Sequence, residues 1–90
     1  MDVCAGGTIS IGATSITFTN HHTKVCNITS CNLPGFPAIP PDVQVPARVG
    51  SQPGTITVPL NPPPSVVNPE GYPYTPDCCD EDTNPTIKVQ

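Results

Sequence analysis

The chain has 90 residues, with seven acidic and three basic side chains, a net charge of −4, 14 prolines, seven glycines and five cysteines. Because phosphate contacts need clustered Lys or Arg, this sparse positive charge argues against nucleic-acid binding. The sequence also lacks an apolar run of the roughly 20 residues that a membrane-spanning helix requires. A chain of this length predicts one domain whose stability is marginal unless cross-links or assembly support it.

The cysteine content points to the compartment. Five cysteines in so short a chain favour an oxidising environment, and predict a secreted, periplasmic or cell-surface protein. The start at Met1 and Asp2 has no basic and apolar signal segment, so we expect that Met1 replaces a removed leader. Five is an odd number, so internal pairing leaves at least one thiol for a metal, for solvent or for another molecule.

Short β-branched runs between turn signals predict an all-β chain with no helix. Residues 1–7 are interpreted as a flexible leader. The predicted strands cover residues 8–11, 15–19, 24–30, 43–47, 55–60, 72–74 and 86–89. Ile9 and Ile11 of the first strand, and Ile16 and Phe18 of the second, are expected to face the core. Pro46 cannot donate to a ladder, which places the fourth strand at a sheet edge.

Two proline-rich segments, 32–41 and 61–70, are expected to be extended loops. The spacing of strands and turns predicts a single β-sandwich domain over residues 1–90. Its expected architecture is an antiparallel Greek-key sandwich of six to seven short strands. The last two strands, around Tyr72 and Tyr74 and over 86–89, predict a hairpin that carries a cysteine-containing loop.

Three segments resemble the cupredoxin-like proteins, which are small β-sandwiches related to plastocyanin. The quoted segments are Ser15-Ile16-Thr17-Phe18-Thr19-Asn20 with His21-His22, Val45-Pro46-Ala47 with Gly50, and Gly71-Tyr72-Pro73-Tyr74 to Cys78 with Asn84-Pro85-Thr86-Ile87-Lys88-Val89. The resemblance implies the sandwich fold, and it implies that the histidine corner and the cysteine loop lie at the same end. The chain departs from the family after Cys78, because neither a second histidine nor a methionine follows there, and the one methionine is Met1.

One hypothesis for function is therefore a metal-binding or electron-transfer module, with copper as the candidate cofactor and a redox protein as partner. Its candidate ligands are His21, His22, Cys78 and Cys79: the site would use Cys78 or Cys79 and one of the two histidines, with an acidic residue or Cys26 completing the set.

The alternative is a non-catalytic structural or interaction subunit held together by disulfides. Cys26 or Cys31 would be bonded to Cys78 or Cys79, across a loop of about fifty residues. Cys4, in the leader, would remain free for an intermolecular bond during self-association.

Other chemistries have less support. A tetrahedral zinc or iron site made from Cys26, Cys31, Cys78 and Cys79 is disfavoured, because adjacent residues of an extended strand point to opposite faces. The acidic residues of 77–82 lack the spacing and central glycine of a calcium loop, which favours a solvated loop. The sequence has no serine elbow and no phosphate-binding glycine loop, so we predict that it is not an enzyme.

Overall fold

The computed structural model describes residues 1–37, 43–80 and 83–90. These ranges contain seven β-strands and no helix, which confirms the all-β prediction. The described part of the chain accordingly offers no helix with the length and apolarity to cross a membrane. The strands are β1 (Gly7–Ile9), β2 (Ser15–Asn20), β3 (Cys26–Cys31), β4 (Val43–Val45), β5 (Gly54–Pro59), β6 (Asn68–Pro76) and β7 (Thr86–Val89).

The strands form two sheets. The larger sheet has the order β1-β7-β6-β3-β4, and β2 pairs with β5 in the smaller one. β1 runs parallel to β7, whereas the other paired strands are antiparallel. The larger sheet is therefore mixed, and the prediction of a purely antiparallel architecture is wrong at this edge. β4 lies at the opposite edge, as Pro46 predicted.

The core lies between the two sheets. Phe18 of β2 meets Phe36 and Tyr74 edge to face, with ring centroids 6.2 and 5.8 Å apart. Ile16 and Phe18 are both buried, which confirms the predicted inward face of β2. Tyr74 belongs to β6, which pairs antiparallel with β7 as the predicted final hairpin requires.

The predicted core face of the first strand is only partly correct. Ile9 is half-buried against the core, but Ile11 is 45% exposed. The reason is that β1 ends at Ile9, so Ile11 lies beyond the paired residues. Its backbone N–H donates to the carbonyl of Gln90, at 2.9 Å.

Residues 1–7 are not a flexible leader, and that interpretation is wrong. Val3 is fully buried, and its backbone N–H donates to the carbonyl of Thr19 at 3.0 Å. The N–H of Thr19 in turn donates to the carbonyl of Met1 at 2.8 Å. On the other side, the hydroxyl of Tyr74 donates to the Val3 carbonyl at 2.8 Å. The first residues are therefore held between β2 and β6.

The two proline-rich segments behave differently from each other. In the first, Leu33 and Phe36 are buried and contribute to the core, while residues 38–42 lie outside the described residues. In the second, Val66 and Val67 are exposed, in agreement with a surface loop. The final part of the predicted loop, from Asn68 onward, already belongs to β6.

Candidate functional site

Four of the five cysteines meet at the loop between β6 and β7. Cys4 is bonded to Cys79, and Cys26 is bonded to Cys78. The Cys26–Cys78 bond is one of the pairings that the sequence allowed. The assignment of Cys4 as the unpaired cysteine is wrong, and so is the pairing of Cys31 with the final loop, because Cys31 is the free thiol.

The antiparallel register of β3 and β6 explains which cysteine of β3 is bonded. Cys31 pairs with Tyr74 in the ladder, several residues before the loop. Cys26 lies at the other end of β3, which is the end beside Cys78. An extended strand rises about 3.3 Å per residue, so the two cysteines of β3 are roughly 16 Å apart along it. The thiol of Cys31 is partly buried, and this burial raises its pKa.

The two disulfides touch each other, and a histidine lies beside one of them. The Sγ atoms of Cys78 and Cys79 are 3.8 Å apart, and Nε2 of His22 is 3.3 Å from Sγ of Cys4. Potential ligand atoms of Cys4, His22, Cys78 and Cys79 all lie within 4.8 Å of one another. This cluster could hold a metal ion, but metals bind thiolates, and these sulfurs are used in disulfides.

A turn at the start of the chain places Cys4 in this cluster. The Asp2 carboxylate accepts a hydrogen bond from the Cys4 N–H at 2.8 Å, and the Asp2 carbonyl accepts one from the Gly6 N–H at 3.0 Å. Gly6 has a φ of 69°, in the left-handed region that favours glycine. A side chain there would overlap the carbonyl of Thr86 in β7. The turn therefore lets β1 run beside β7 while Cys4 faces the final loop.

The corner at His21 and His22 is fixed by a buried asparagine. Asn20 is fully buried, and its side-chain oxygen accepts the His22 N–H at 2.9 Å. Its amide group donates to the carbonyls of Lys24 and Pro46 at 2.9 and 3.1 Å. Asn20 was not predicted to position a histidine. The signal that it positions a histidine is its place two residues before His22, the spacing of an Asx turn.

The two histidines have different surroundings. His22 contacts the cysteine cluster, whereas Nε2 of His21 lies 3.8 Å from a carboxylate oxygen of Asp2 and outside that cluster. Arg48 holds the backbone of both, because its N–H donates to the His22 carbonyl at 2.7 Å and its Nε donates to the His21 carbonyl at 3.0 Å. The structure therefore brings together three of the four predicted metal ligands, adds Cys4, and leaves His21 apart.

A polar clasp flanks the buried Cys26–Cys78 disulfide. It joins Asn27, which follows Cys26, to Asp77, which precedes Cys78. Asp77 accepts the Asn27 N–H at 2.8 Å and the Asn27 side-chain amide at 2.9 Å, one on each carboxylate oxygen. The Asp77 N–H returns a bond to the Asn27 carbonyl at 3.0 Å. These hydrogen bonds from Asn27 lower the pKa of the Asp77 carboxyl group. Both oxygens of Asp77 are thus engaged with Asn27.

Comparison with protein-family models, with curated proteins and with solved structures gave no match.

Proposed function

We propose that this chain is a non-catalytic structural or interaction module, built on a cupredoxin-like Greek-key sandwich and used in a secreted, periplasmic or cell-surface setting. One observation carries the proposal. Two disulfides join the start of the chain and its middle to the same pair of residues, Cys78 and Cys79. Such cross-links persist in oxidising compartments, where small domains use them to supplement a limited core.

The size of the effect supports this role. Cys4 and Cys79 are 75 residues apart, and Cys26 and Cys78 are 52 apart. In the chain-entropy model, closing a loop of either length contributes about 4 kcal/mol, and the second bond contributes about 3.4 kcal/mol once the first is closed. Their sum is close to the whole free energy of unfolding of an ordinary small domain, roughly 5–15 kcal/mol. On this estimate, a chain without the two disulfides would retain little or no net stability.

A metal-binding or electron-transfer role, with copper as the candidate ion, is the second proposal. The proximity of Cys4, His22, Cys78 and Cys79 favours it. Two features weigh against an ordinary blue-copper centre, which needs two histidines and a thiolate. His21 faces Asp2 and not the cluster, and both cysteines of the final loop are oxidised.

Mass spectrometry and thermal unfolding together test the two proposals. For the structural role we expect a denatured mass that is short by four hydrogens, two for each disulfide, and no additional native mass after incubation with copper. We also expect the unfolding transition to disappear when both bonds are reduced, because the entropy contribution of about 7–8 kcal/mol is lost. A native-only copper adduct on a chain with five free thiols would instead support the metal centre.

A further inference from the structure

The two disulfides differ in their access to solvent. Cys26 is fully buried and Cys78 is 6% exposed, whereas Cys4 and Cys79 are each only partly buried. A groove of about 350 Å³ runs along the final loop, and Cys79 forms part of its wall. Of the four bonded cysteines, Cys79 alone is among the residues that line this groove. The Cys26–Cys78 bond is shielded from solvent.

We propose that a dithiol reductant opens the Cys4–Cys79 disulfide alone, and that the two released thiolates then bind a zinc ion together with His22. This inference goes beyond the structural role, and it does not depend on a copper centre. Reduction would exchange a covalent cross-link for a metal cross-link between the same two segments.

The redox step is a thiol–disulfide exchange in which atoms and electrons balance. A thiolate of the dithiol attacks Sγ of Cys79, which borders the groove, and Cys4 leaves as a thiolate. Solvent protonates the leaving Cys4 sulfur, which lies 3.3 Å from Nε2 of His22. The second thiol of the reductant then displaces Cys79, which leaves two cysteine thiols and one cyclic disulfide of the reductant. Zinc binding releases the two thiol protons to solvent.

The positions of the three side chains fit a tetrahedral zinc ion. Zinc binds sulfur at about 2.3 Å and nitrogen at about 2.0–2.1 Å, so ligand atoms around one ion are roughly 3.5 Å apart. Nε2 of His22 and Sγ of Cys4 are already at 3.3 Å. The Cα atoms of Cys4 and Cys79 are 5.7 Å apart, which allows rotation about the side chains to separate the sulfurs once their bond is broken.

The surrounding contacts prepare the histidine for this role. The buried Asn20 and the Arg48 N–H fix the backbone of His22, so little order must be gained on binding. Cys78 stays bonded to Cys26 and does not compete for the ion. The ion then has three protein ligands, and its fourth position is open to solvent, an arrangement that zinc adopts in proteins.

The test uses the whole chain with Cys31→Ser, which removes the free thiol. The protein is equilibrated with increasing dithiol and then separated from it without air. One part is alkylated and mapped by peptide mass, and the other is titrated with Co²⁺ as a spectroscopic substitute for Zn²⁺. We expect alkylation of Cys4 and Cys79 only. The same sample should develop thiolate-to-cobalt absorption that saturates at one equivalent and is removed by Zn²⁺, whereas the oxidised protein should show none.

The adjacent histidines provide a matched control. His22→Ala should weaken Co²⁺ binding by at least about tenfold, a loss that even an outer-shell partner can produce, whereas His21→Ala should leave it unchanged. Equal weakening by both substitutions, Co²⁺ binding to the oxidised protein, or alkylation of Cys26 and Cys78 first would overturn the proposal. Loss of the folded-state circular dichroism on opening Cys4–Cys79 alone would overturn it too. The structural role is judged on the oxidised protein and on the chain with both bonds reduced, whereas this proposal is judged on the chain with only Cys4–Cys79 open, so the two proposals fail separately.

Discussion

The two disulfides begin at neighbouring residues, Cys78 and Cys79, but reach very different surroundings. Cys26–Cys78 lies in the core beside the clasp of Asn27 and Asp77. Cys4–Cys79 lies at the surface beside the exposed His22. Cys78 and Cys79 lie in a turn with their sulfurs 3.8 Å apart, so the two bonds differ through their partners, with Cys26 in the core and Cys4 only partly buried. Adjacency in sequence therefore does not predict equal stability or equal reactivity.

Chain entropy alone does not distinguish the two bonds. Once one disulfide has formed, the second closes a much shorter loop. This loop runs from Cys4 to Cys26 and across the Cys78–Cys79 peptide bond, and it contains roughly 23 residues. The corresponding entropy contribution is about 3.4 kcal/mol in both cases. Any measured difference between the bonds must therefore come from burial and from the contacts around them.

Removal of the inner bond should have the largest effect. In Cys26→Ala with Cys78→Ala, we expect a loss of about 4–5 kcal/mol in the free energy of unfolding. About 3.4 kcal/mol of this is chain entropy, and the remainder is packing lost where two buried sulfurs are deleted. Urea denaturation monitored by circular dichroism measures it. Cys31→Ala is the control for the loss of a cysteine without loss of a bond.

Removal of the outer bond should cost less. For Cys4→Ala with Cys79→Ala, we expect a loss of about 3.5 kcal/mol, nearly all of it chain entropy, because less packing is lost at half-buried sites. The same urea experiment compares this variant with the inner pair. If the two double variants unfolded at the same urea concentration, burial would not be what separates the bonds.

The alternation of apolar and polar residues made part of the fold predictable from the sequence. Ile16 and Phe18 alternate within one strand, and the final hairpin joins strands close in sequence, so both were predicted correctly. The cysteine pairing depends on the neighbours of β3 and β6, which are distant in sequence. Four cysteines already allow three pairings, and only the register of the strands shows that Cys26 and not Cys31 reaches the loop.

The first residues of the chain show even more strongly that contacts between distant segments are not predictable from local patterns. Val3 lies between Asp2 and Cys4 in a short segment with no apolar alternation, so it has no periodic signal, yet it is fully buried. Its position is set by hydrogen bonds with Thr19 of β2 and Tyr74 of β6. The parallel pairing of β1 with β7 likewise joins the two ends of the chain, a contact that no local pattern encodes.

Tyr74→Phe should make the outer disulfide, Cys4–Cys79, easier to reduce. The hydroxyl of Tyr74 donates to the buried carbonyl of Val3, and its loss leaves that carbonyl unpaired, at a cost of about 1–2 kcal/mol. Burial of the hydroxyl raises the Tyr74 pKa, which keeps it protonated as the donor. Because Val3 precedes Cys4, we expect faster reduction of Cys4–Cys79, measured by alkylation under native conditions. Tyr72→Phe, in the same strand, is the matched control. Equal acceleration in both variants would contradict the role of this hydrogen bond.

Acid should lower the stability contributed by the Asp77 clasp beside the inner disulfide. We expect this to be the smallest of the four predicted effects. Hydrogen bonds from Asn27 lower the Asp77 pKa below its unfolded value of about 3.9. The ionised clasp therefore adds stability that is fully present above that value and is lost as the pH falls through the lower, folded pKa. Asp77 is exposed, so solvent screening keeps this contribution small.

The measurement compares Asp77→Asn with the unsubstituted protein by urea denaturation, at neutral pH and below the carboxyl range. We expect the variant to be less stable at neutral pH and the difference to shrink in acid, where both carry a neutral side chain. Asp80→Asn, in the same loop, should not reproduce this pattern. A pH-independent difference for Asp77→Asn would mean that the shape of the clasp matters and its charge does not.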